Sequence, residues 1–370
     1  MKVIWFSWKD SNHPLAGGAE TVSSNIREKL VRDGHEVTLF TAKYKDSLRS
    51  ELVSGVHVRR YGNRFTVYIL CLIQFILLPS SAYDLVVDEM NTLPFWAGAF
   101  TRKPKVLLCY QLAREVWHFQ LRPPLSTIGY FLEPLYVRLL SSIYKTAITE
   151  SDSTSKELSA LGFKSVHIFR VGMSLVPLKS LGNTSSEQMF NLVFLGALRQ
   201  MKRPLDAIKA FELAKNKLPN LKLTMMGNDR DDHADVVKRH VSMSKYADCI
   251  RVLGTVSQTQ KKEVLLSAGA VIVTSIKEGW GLIVTEAGSL GVPAVAYDAD
   301  GLRDSIVDGK TGLLAKNGST SDLAIKTVDL LSHRKLRDKF SKNAWEFSKQ
   351  FTFENSYKDF LNIIESSTTK

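Results

Sequence analysis

Three cysteines in 370 residues (Cys71, Cys109 and Cys249), far apart and without a CxxC or histidine-rich neighbourhood, exclude a disulfide framework and a cysteine-based zinc site. That scarcity fits a reducing compartment. Long apolar runs are also lacking. The best candidate, residues 65–78, is apolar at 12 of 14 positions, whereas a bilayer span takes about 20 such residues. The opening Met-Lys-Val-Ile-Trp-Phe-Ser lacks the apolar stretch and small-residue cleavage site of a signal peptide, and reads as a first strand. A cytoplasmic location is expected. With no RNP aromatic motif, KH-type loop or zinc finger, nucleic acid is not an expected partner. Short internal repeats and low-complexity segments are absent too.

Carboxylates are the minority charge: 49 Lys and Arg stand against 37 Asp and Glu, for a net +12. The surplus is dispersed, with 22 against 15 in residues 1–185 and 27 against 22 in residues 186–370. Dispersal argues against a nucleic-acid arm and leaves a phospholipid or a phosphorylated small molecule as the anionic partner. A chain 44% hydrophobic and 23% charged is ordinary for a globular protein, long enough for two domains or one large one. Residues 65–78 read either as a buried helix or as an interfacial helix meeting anionic headgroups, with Arg59, Arg60 and Arg64 just upstream.

What is present is an alternation. Strand-length apolar runs at 2–7, 36–41, 56–60, 84–88, 105–110, 142–149 and 166–170 are interspersed with helical patterns such as 21–33. Around 174–188 the pattern lapses into Pro, Ser, Gly and Asn, as a linker would. The rhythm then restarts, with strands at 191–196, 221–227, 250–254, 270–275 and 292–297. Helical stretches at 204–217, 258–267 and 280–290 separate them, and helices at 321–332, 334–350 and 353–366 close the chain. Such alternation predicts an α/β protein of two doubly wound, Rossmann-like domains facing a cleft, with ligands outside the carboxyl ends of the strands.

One segment carries most of the chemistry. A strand runs into Lys277, Glu278 and Gly279; Trp280, Gly281 and Leu282 open a helix that holds Glu286, and Pro293 begins the next strand. A helix N-terminus is a ready phosphate cradle, and ionised carboxylates accept paired hydrogen bonds from sugar hydroxyls. Glu278 and Glu286, separated by seven residues in Glu-Gly-Trp-Gly-Leu-Ile-Val-Thr-Glu, resemble the paired-Glu signature of retaining GT-B glycosyltransferases of family 4. The resemblance implies that Glu278 contacts the donor sugar and Glu286 the nucleotide ribose. Downstream Gly-Leu-Arg-Asp-Ser-Ile and Gly-Lys-Thr-Gly-Leu-Leu segments strengthen it, and Asp298, Gly301, Arg303 and Asp304 are expected to shape the pocket rim without chemistry.

The resemblance extends to other sites. After the strand at 191–196 comes a basic loop in which Gly196, Leu198 and Lys202 match the family's Gly-Arg-Leu…Lys pattern, while Ala197 takes the usual Arg position. Lys202 is expected to neutralise a diphosphate, with Arg199 or Arg203 substituting for the missing arginine. Gly17 and Gly18, in Gly-Gly-Ala-Glu before the first helix, are expected to let backbone approach the reacting sugar phosphate. Gly227 ends a strand at the nucleotide edge. Tyr110 stands where the family usually has His; neither His13 nor His118 fills that position, and a Tyr hydroxyl is a hydrogen-bond donor rather than a base near neutrality. Arg114 and Glu115 beside it are open between structural and acceptor-side roles.

The implied reaction moves a sugar from a nucleoside diphosphate sugar (UDP- or GDP-linked) to an acceptor hydroxyl with retention, and needs no cofactor beyond the donor. No DxD motif sits at a strand end and Asp229-Arg-Asp-Asp232 reads as a solvated turn, so metal independence is expected. The acceptor is a cell-surface or lipid-linked glycan, or a soluble sugar phosphate; the former would place the protein peripherally on the inner face of the membrane. Residues 1–170 are expected to form the acceptor-side domain, 171–189 a linker, 190–349 the nucleotide-sugar domain, and 350–370 a helix crossing back. The competing reading is a catalytically impaired GT-B homologue serving as a binding subunit, because of Tyr110.

Overall fold

The computed structural model describes residues 1–182, 185–229 and 232–368. It divides into two units, Met1–Gly172 with Phe351–Lys370, and Met173–Gln350. Arg230 and Asp231 of the expected acidic turn, and residues 183–184 of the expected linker, lie outside the described residues. Asp229 of that turn pairs with Lys238 at 2.7 Å.

In the first unit, eight strands, β1 (Lys2–Phe6), β2 (Glu36–Thr41), β3 (Ser50–Val53), β4 (Val56–Arg60), β5 (Leu85–Met90), β6 (Lys105–Cys109), β7 (Thr146–Thr149) and β8 (Ser165–Ile168), form one sheet in the order β3-β4-β2-β1-β5-β6-β7-β8. All pairings are parallel except that of the β3–β4 hairpin, whose turn residues Ser54 and Gly55 both have positive φ, as a tight hairpin requires. The central strand β5 is buried at every residue, the mark of a parallel sheet covered on both faces. Its helices are α1 (Gly18–Arg32), α2 (Val67–Ile76), α3 (Trp117–Gln120), α4 (Leu125–Ile143) and α5 (Asp152–Ala160).

Helix α4 corrects the expected strand at 142–149: the helix continues to Ile143 and only Thr146–Thr149 is extended. Its exposed side carries leucines and Phe131 rather than charge, its buried side includes Ser126 and Glu133, and Pro134 lies within it, so the polar-outside pattern that marks a helix in a sequence is missing. Pro134 inside it lacks an N–H and so frees the carbonyl of Tyr130; the Arg114 guanidinium takes that carbonyl at 3.2 Å.

The second unit has six strands, β9 (Asn191–Leu195), β10 (Lys222–Met226), β11 (Ile250–Val252), β12 (Ala270–Val273), β13 (Ala294–Tyr297) and β14 (Gly312–Ala315), all parallel, in the order β11-β10-β9-β12-β13-β14. Around it lie α6 (Ser186–Met189), α7 (Pro204–Lys215), α8 (Asp232–Met243), α9 (Gln258–Leu266), α10 (Leu282–Ser289), α11 (Leu302–Ser305), α12 (Thr320–Ser332) and α13 (Arg334–Ser348). Alternate strand residues feed two cores. Leu192, Phe194, Leu223 and Ile272 pack under α7 and α12, while Val193, Val271, Val273 and Ala296 pack under α9 and α10.

The last helix, α14 (Phe353–Thr368), belongs to the first unit. Phe360 stacks on Trp5 at 5.3 Å, Tyr357 Oη reaches Asp33 at 2.5 Å, and Asp359 accepts two guanidinium bonds from Arg170, at 2.7 and 2.6 Å.

Candidate active site

A doubly wound sheet reverses its winding once, and the loops that diverge there leave a crevice at the strands' carboxyl ends. In the second unit the reversal falls between β9 and β12. Residues 196–203 follow one strand and 274–281 the other. The Thr274 hydroxyl lies 2.7 Å from the Lys202 carbonyl and 2.9 Å from that of Arg203, and the Ile276 N–H donates to Met201 O at 3.0 Å. These bonds stitch the loops together, and Lys202 Nζ meets Glu278 Oε1 across the seam. Ser275 Oγ donates to the same carboxylate oxygen at 2.5 Å. Both side chains of the pair remain partly exposed, at 18% and 17%.

Beyond Glu278 and Gly279, Trp280 is buried, Gly281 caps α10 and Leu282 begins it. Glu286 is buried in α10, and Lys261 of α9 grips both its carboxylate oxygens at 2.8 Å. Each member of the expected carboxylate pair is therefore held by its own lysine. Two glycines are required here by geometry. Gly227 has φ +148 and a Cβ on it would lie 2.1 Å from Gly196 O, so β9 and β10 can end side by side only without that carbon. Gly301 has φ +78 and its Cβ would lie 2.3 Å from Glu278 O; the 298–304 rim rests directly on the Glu278 backbone, whose N–H bonds Asp300 O at 3.0 Å. Arg203, with φ +47, sits over the Tyr297 ring at 5.7 Å and donates to Asn317 at 2.7 Å. Arg199 is exposed and has no ion pair among the described residues. Arg199 is thus the uncommitted cation of the loop.

The first unit reverses its winding between β1 and β5. Gly17 and Gly18 lie exposed at the start of α1, and the Glu20 carboxylate turns back to the Gly17 N–H at 2.7 Å. Gly17 is extended at φ −139, and an added Cβ would meet only Glu20 Oε2 at 3.6 Å, so nothing local demands glycine there. The preceding loop is braced by Arg60, which is fully buried and paired with Asp10 at 2.6 Å and Glu51 at 2.5 Å.

Tyr110 is placed differently from the expectation. It is buried, and its hydroxyl lies 2.5 Å from Ser23 Oγ, which donates to Glu89 at 2.8 Å. With the serine proton committed to Glu89, Tyr110 is the donor to Ser23. Trp5 Nε1 and Ser7 Oγ complete the ring around Glu89, at 2.8 and 3.1 Å. Burial first, and then the nearby Glu89, push the Tyr110 hydroxyl well above its usual range, so it stays protonated. Its hydrogen-bond donor is spent inside the unit rather than offered to a ligand. Arg114 is anchored on α4, through Tyr130 O and through its own N–H to the buried Glu133 at 2.6 Å, which favours the structural of its two readings; Glu115 is exposed.

Both halves match models of known families: residues 182–347 match Glycosyl transferases group 1, and residues 16–173 match Glycosyltransferase Family 4. The chain belongs to the family 4, group 1 glycosyltransferases. It is similar to the poly(glycerol-phosphate) alpha-glucosyltransferase of Bacillus subtilis (strain 168), at 28% identity over 47% of this chain and 25% of that protein. The trehalose synthase of Thermococcus litoralis is 30% identical over 45% of this chain and 41% of that protein. The matched part is thus under half the length of these curated relatives. Among solved structures, the sucrose-phosphate synthase from Thermosynechococcus elongatus superposes with a TM-score of 0.78 at 17% identity, covering 99% of this chain and 98% of that one. Anabaena HepE, solved in complex with UDP and glucose, gives 0.76 at 18% identity, covering 99% and 100%. These likenesses establish the GT-B fold, with its two Rossmann-like sheets.

Several positioning groups escape a reading of the sequence. Lys261 lies 25 residues before its partner Glu286 in a helix of unremarkable polarity, and Thr274 and Ser275 are read there only as the end of a strand. In the first unit, the buried Asp88 orders the loop after β5 by accepting from the Phe95 and Ala97 N–H groups at 3.0 and 3.2 Å.

Proposed function

We propose that the chain transfers a sugar from a nucleoside diphosphate sugar to an acceptor hydroxyl, with retention and without a metal ion. The observation that carries this reading is the pair of lysine-held carboxylates, Lys202–Glu278 and Lys261–Glu286, at the point where the sheet reverses. Glu278 accepts hydrogen bonds from the donor sugar and Glu286 from the ribose. A diphosphate entering beside Lys202 competes for its ammonium, and Arg199 adds a second cation. As the anomeric carbon–oxygen bond breaks, these charges stabilise the departing diphosphate. The acceptor oxygen bonds the anomeric carbon on the same face and its proton passes to a diphosphate oxygen. The presence of UDP in HepE supports a uridine donor, and a GDP-sugar is the alternative. The acceptor is a lipid-linked or cell-surface glycan or a sugar phosphate, and the first of these gives the protein a cytoplasmic, membrane-peripheral place.

The test is a donor screen with released-nucleotide readout, alongside thermal shift with UDP and GDP. Glu278→Gln is expected to lower turnover at least about 100-fold with an unchanged melting temperature. A broad panel of nucleotide sugars that neither stabilises the chain nor is turned over would sink the proposal. Tyr110, whose hydroxyl is spent on Ser23, keeps a second reading in view: an impaired homologue acting as a binding subunit. Single-turnover transfer by the purified chain would dispose of it.

A further inference from the structure

Helices α2 and α4 cover the same face of the first sheet. On β5 that face is Val86, Asp88 and Met90; α2 buries Val67, Cys71 and Phe75 against it, and α4 buries Val137 and Leu140. The segment after β5 joins them, with Phe95 against Tyr68 at 4.8 Å and Thr92 O accepting from Tyr136 at 2.6 Å. What these helices turn outward is not polar. On α2 and its flanks Phe65, Ile69, Ile73 and Leu77 are exposed, Leu77 at 73%. On α4 the stripe Leu125, Ile128, Leu132, Leu135 and Leu139, spaced three and four apart, faces out, with Phe131 beside it at 67%. A surface helix normally carries charge on that side, and an apolar patch of this extent marks an interaction site.

Charge identifies the occupant. Residues 52–83 contain no Asp or Glu, and residues 90–149 hold only two, Glu115, which is exposed, and Glu133, which is buried. Arg64 lies at the start of α2, Arg122 just before α4, and Arg138 on α4 itself, all exposed. Arg60 does not contribute, because Asp10 and Glu51 hold it in the interior. Among the described residues, no helix is long and apolar enough to cross a membrane. We infer that the α2–α4 face of the first unit docks into the headgroup layer of an anionic lipid bilayer, its leucines and phenylalanines reaching the acyl boundary and its arginines meeting lipid phosphate. This locates the membrane contact of the proposed function on a two-helix face. It is tested without donor or acceptor, so its failure leaves transfer untouched.

The experiment is co-sedimentation of the full chain with phosphatidylcholine vesicles, with and without phosphatidylglycerol, at low and high salt. Binding is expected only with phosphatidylglycerol and weaker at high salt. Each arginine near the surface is worth roughly five-fold in partition, so the double variant Arg64→Gln/Arg122→Gln is expected to lose about 30-fold. Phe131 and Leu135 are both exposed, so Phe131→Ser/Leu135→Ser is expected to abolish binding while the melting temperature holds. Equal binding to neutral and anionic vesicles overturns the inference. So does absence of vesicle binding, as does a dimer in solution that Phe131→Ser/Leu135→Ser converts to monomer in place of vesicle binding.

Discussion

Replacing Gly301 by alanine tests the link between the rim of the crevice and Glu278. A Cβ there would stand 2.3 Å from the Glu278 carbonyl oxygen and 2.6 Å from its carbonyl carbon, whereas a carbon and a carbonyl oxygen settle at about 3.3 Å or more. Glu278 or the rim must therefore move by about 1 Å, which pulls on the 3.0 Å bond from the Glu278 N–H to Asp300 O. The left-handed backbone, φ +78, costs a residue with a side chain about 1–2 kcal/mol, and the weakened hydrogen bond about 1 more. For a unit of this size, 2–3 kcal/mol lowers the melting temperature by about 5–10 °C. A 1 Å misplacement at a reacting centre costs about 100-fold in rate. Gly309→Ala supplies the control: its φ is +71 but nothing lies within 4 Å of the added carbon, so the strain is present without the clash. Scanning fluorimetry and released-nucleotide assays on both variants separate the effects. Gly309→Ala should melt a few degrees lower with transfer intact, and Gly301→Ala should lose transfer as well. Equal transfer rates for the two would refute the argument that the position of Glu278 matters to catalysis.

Two further outcomes are expected. Lys261→Met removes the ammonium that holds both oxygens of Glu286 and leaves a buried carboxylate unpaired; nucleotide affinity by calorimetry should fall about 10-fold or more, with kcat less affected than KM. Asp359 is pushed up by burial, but its bonds to the Arg170 guanidinium and N–H outweigh that and hold it below the usual carboxylate range. Its contribution to docking α14 is therefore full above the ordinary carboxylate value and is lost as pH falls through the lowered one. Asp359→Asn should flatten the acid limb of a stability–pH profile, and an unchanged acid limb would remove Asp359 from the account.

What could be read from the chain depends on how local its cause is. The segment from Glu278 to Pro293 is contiguous, and its turn, helix start and next strand follow from glycine, a helical run and proline in order. The strand-length apolar runs of both sheets are similarly visible, because strands buried on both faces must be apolar throughout. Helix α4 hid because leucines and Phe131 line its exposed side, Ser126 and Glu133 lie on its buried side, and Pro134 interrupts it. Strand β3 hid because its residues are half exposed and only the hairpin with β4 makes it a strand. Tyr110 was legible as a residue at a strand end but not in its direction, which follows from Ser23 of α1 accepting its proton.

The sequence by itself determined the α/β class and the doubling of the rhythm, and through a family resemblance it singled out Glu278, Glu286 and Lys202 as candidates. Only the tertiary structure decided which charges meet. Lys202 and Glu278 are 76 residues apart and come together because β9 and β12 are neighbours at the reversal of the sheet. The fate of the arginines likewise rests on packing: Arg60 is drawn into the core by two carboxylates, Arg203 onto the Tyr297 ring, and Arg64 is left at the surface beside an apolar face. A side chain's charge is written in the sequence, but its partner is set by which strands the folded sheet makes adjacent.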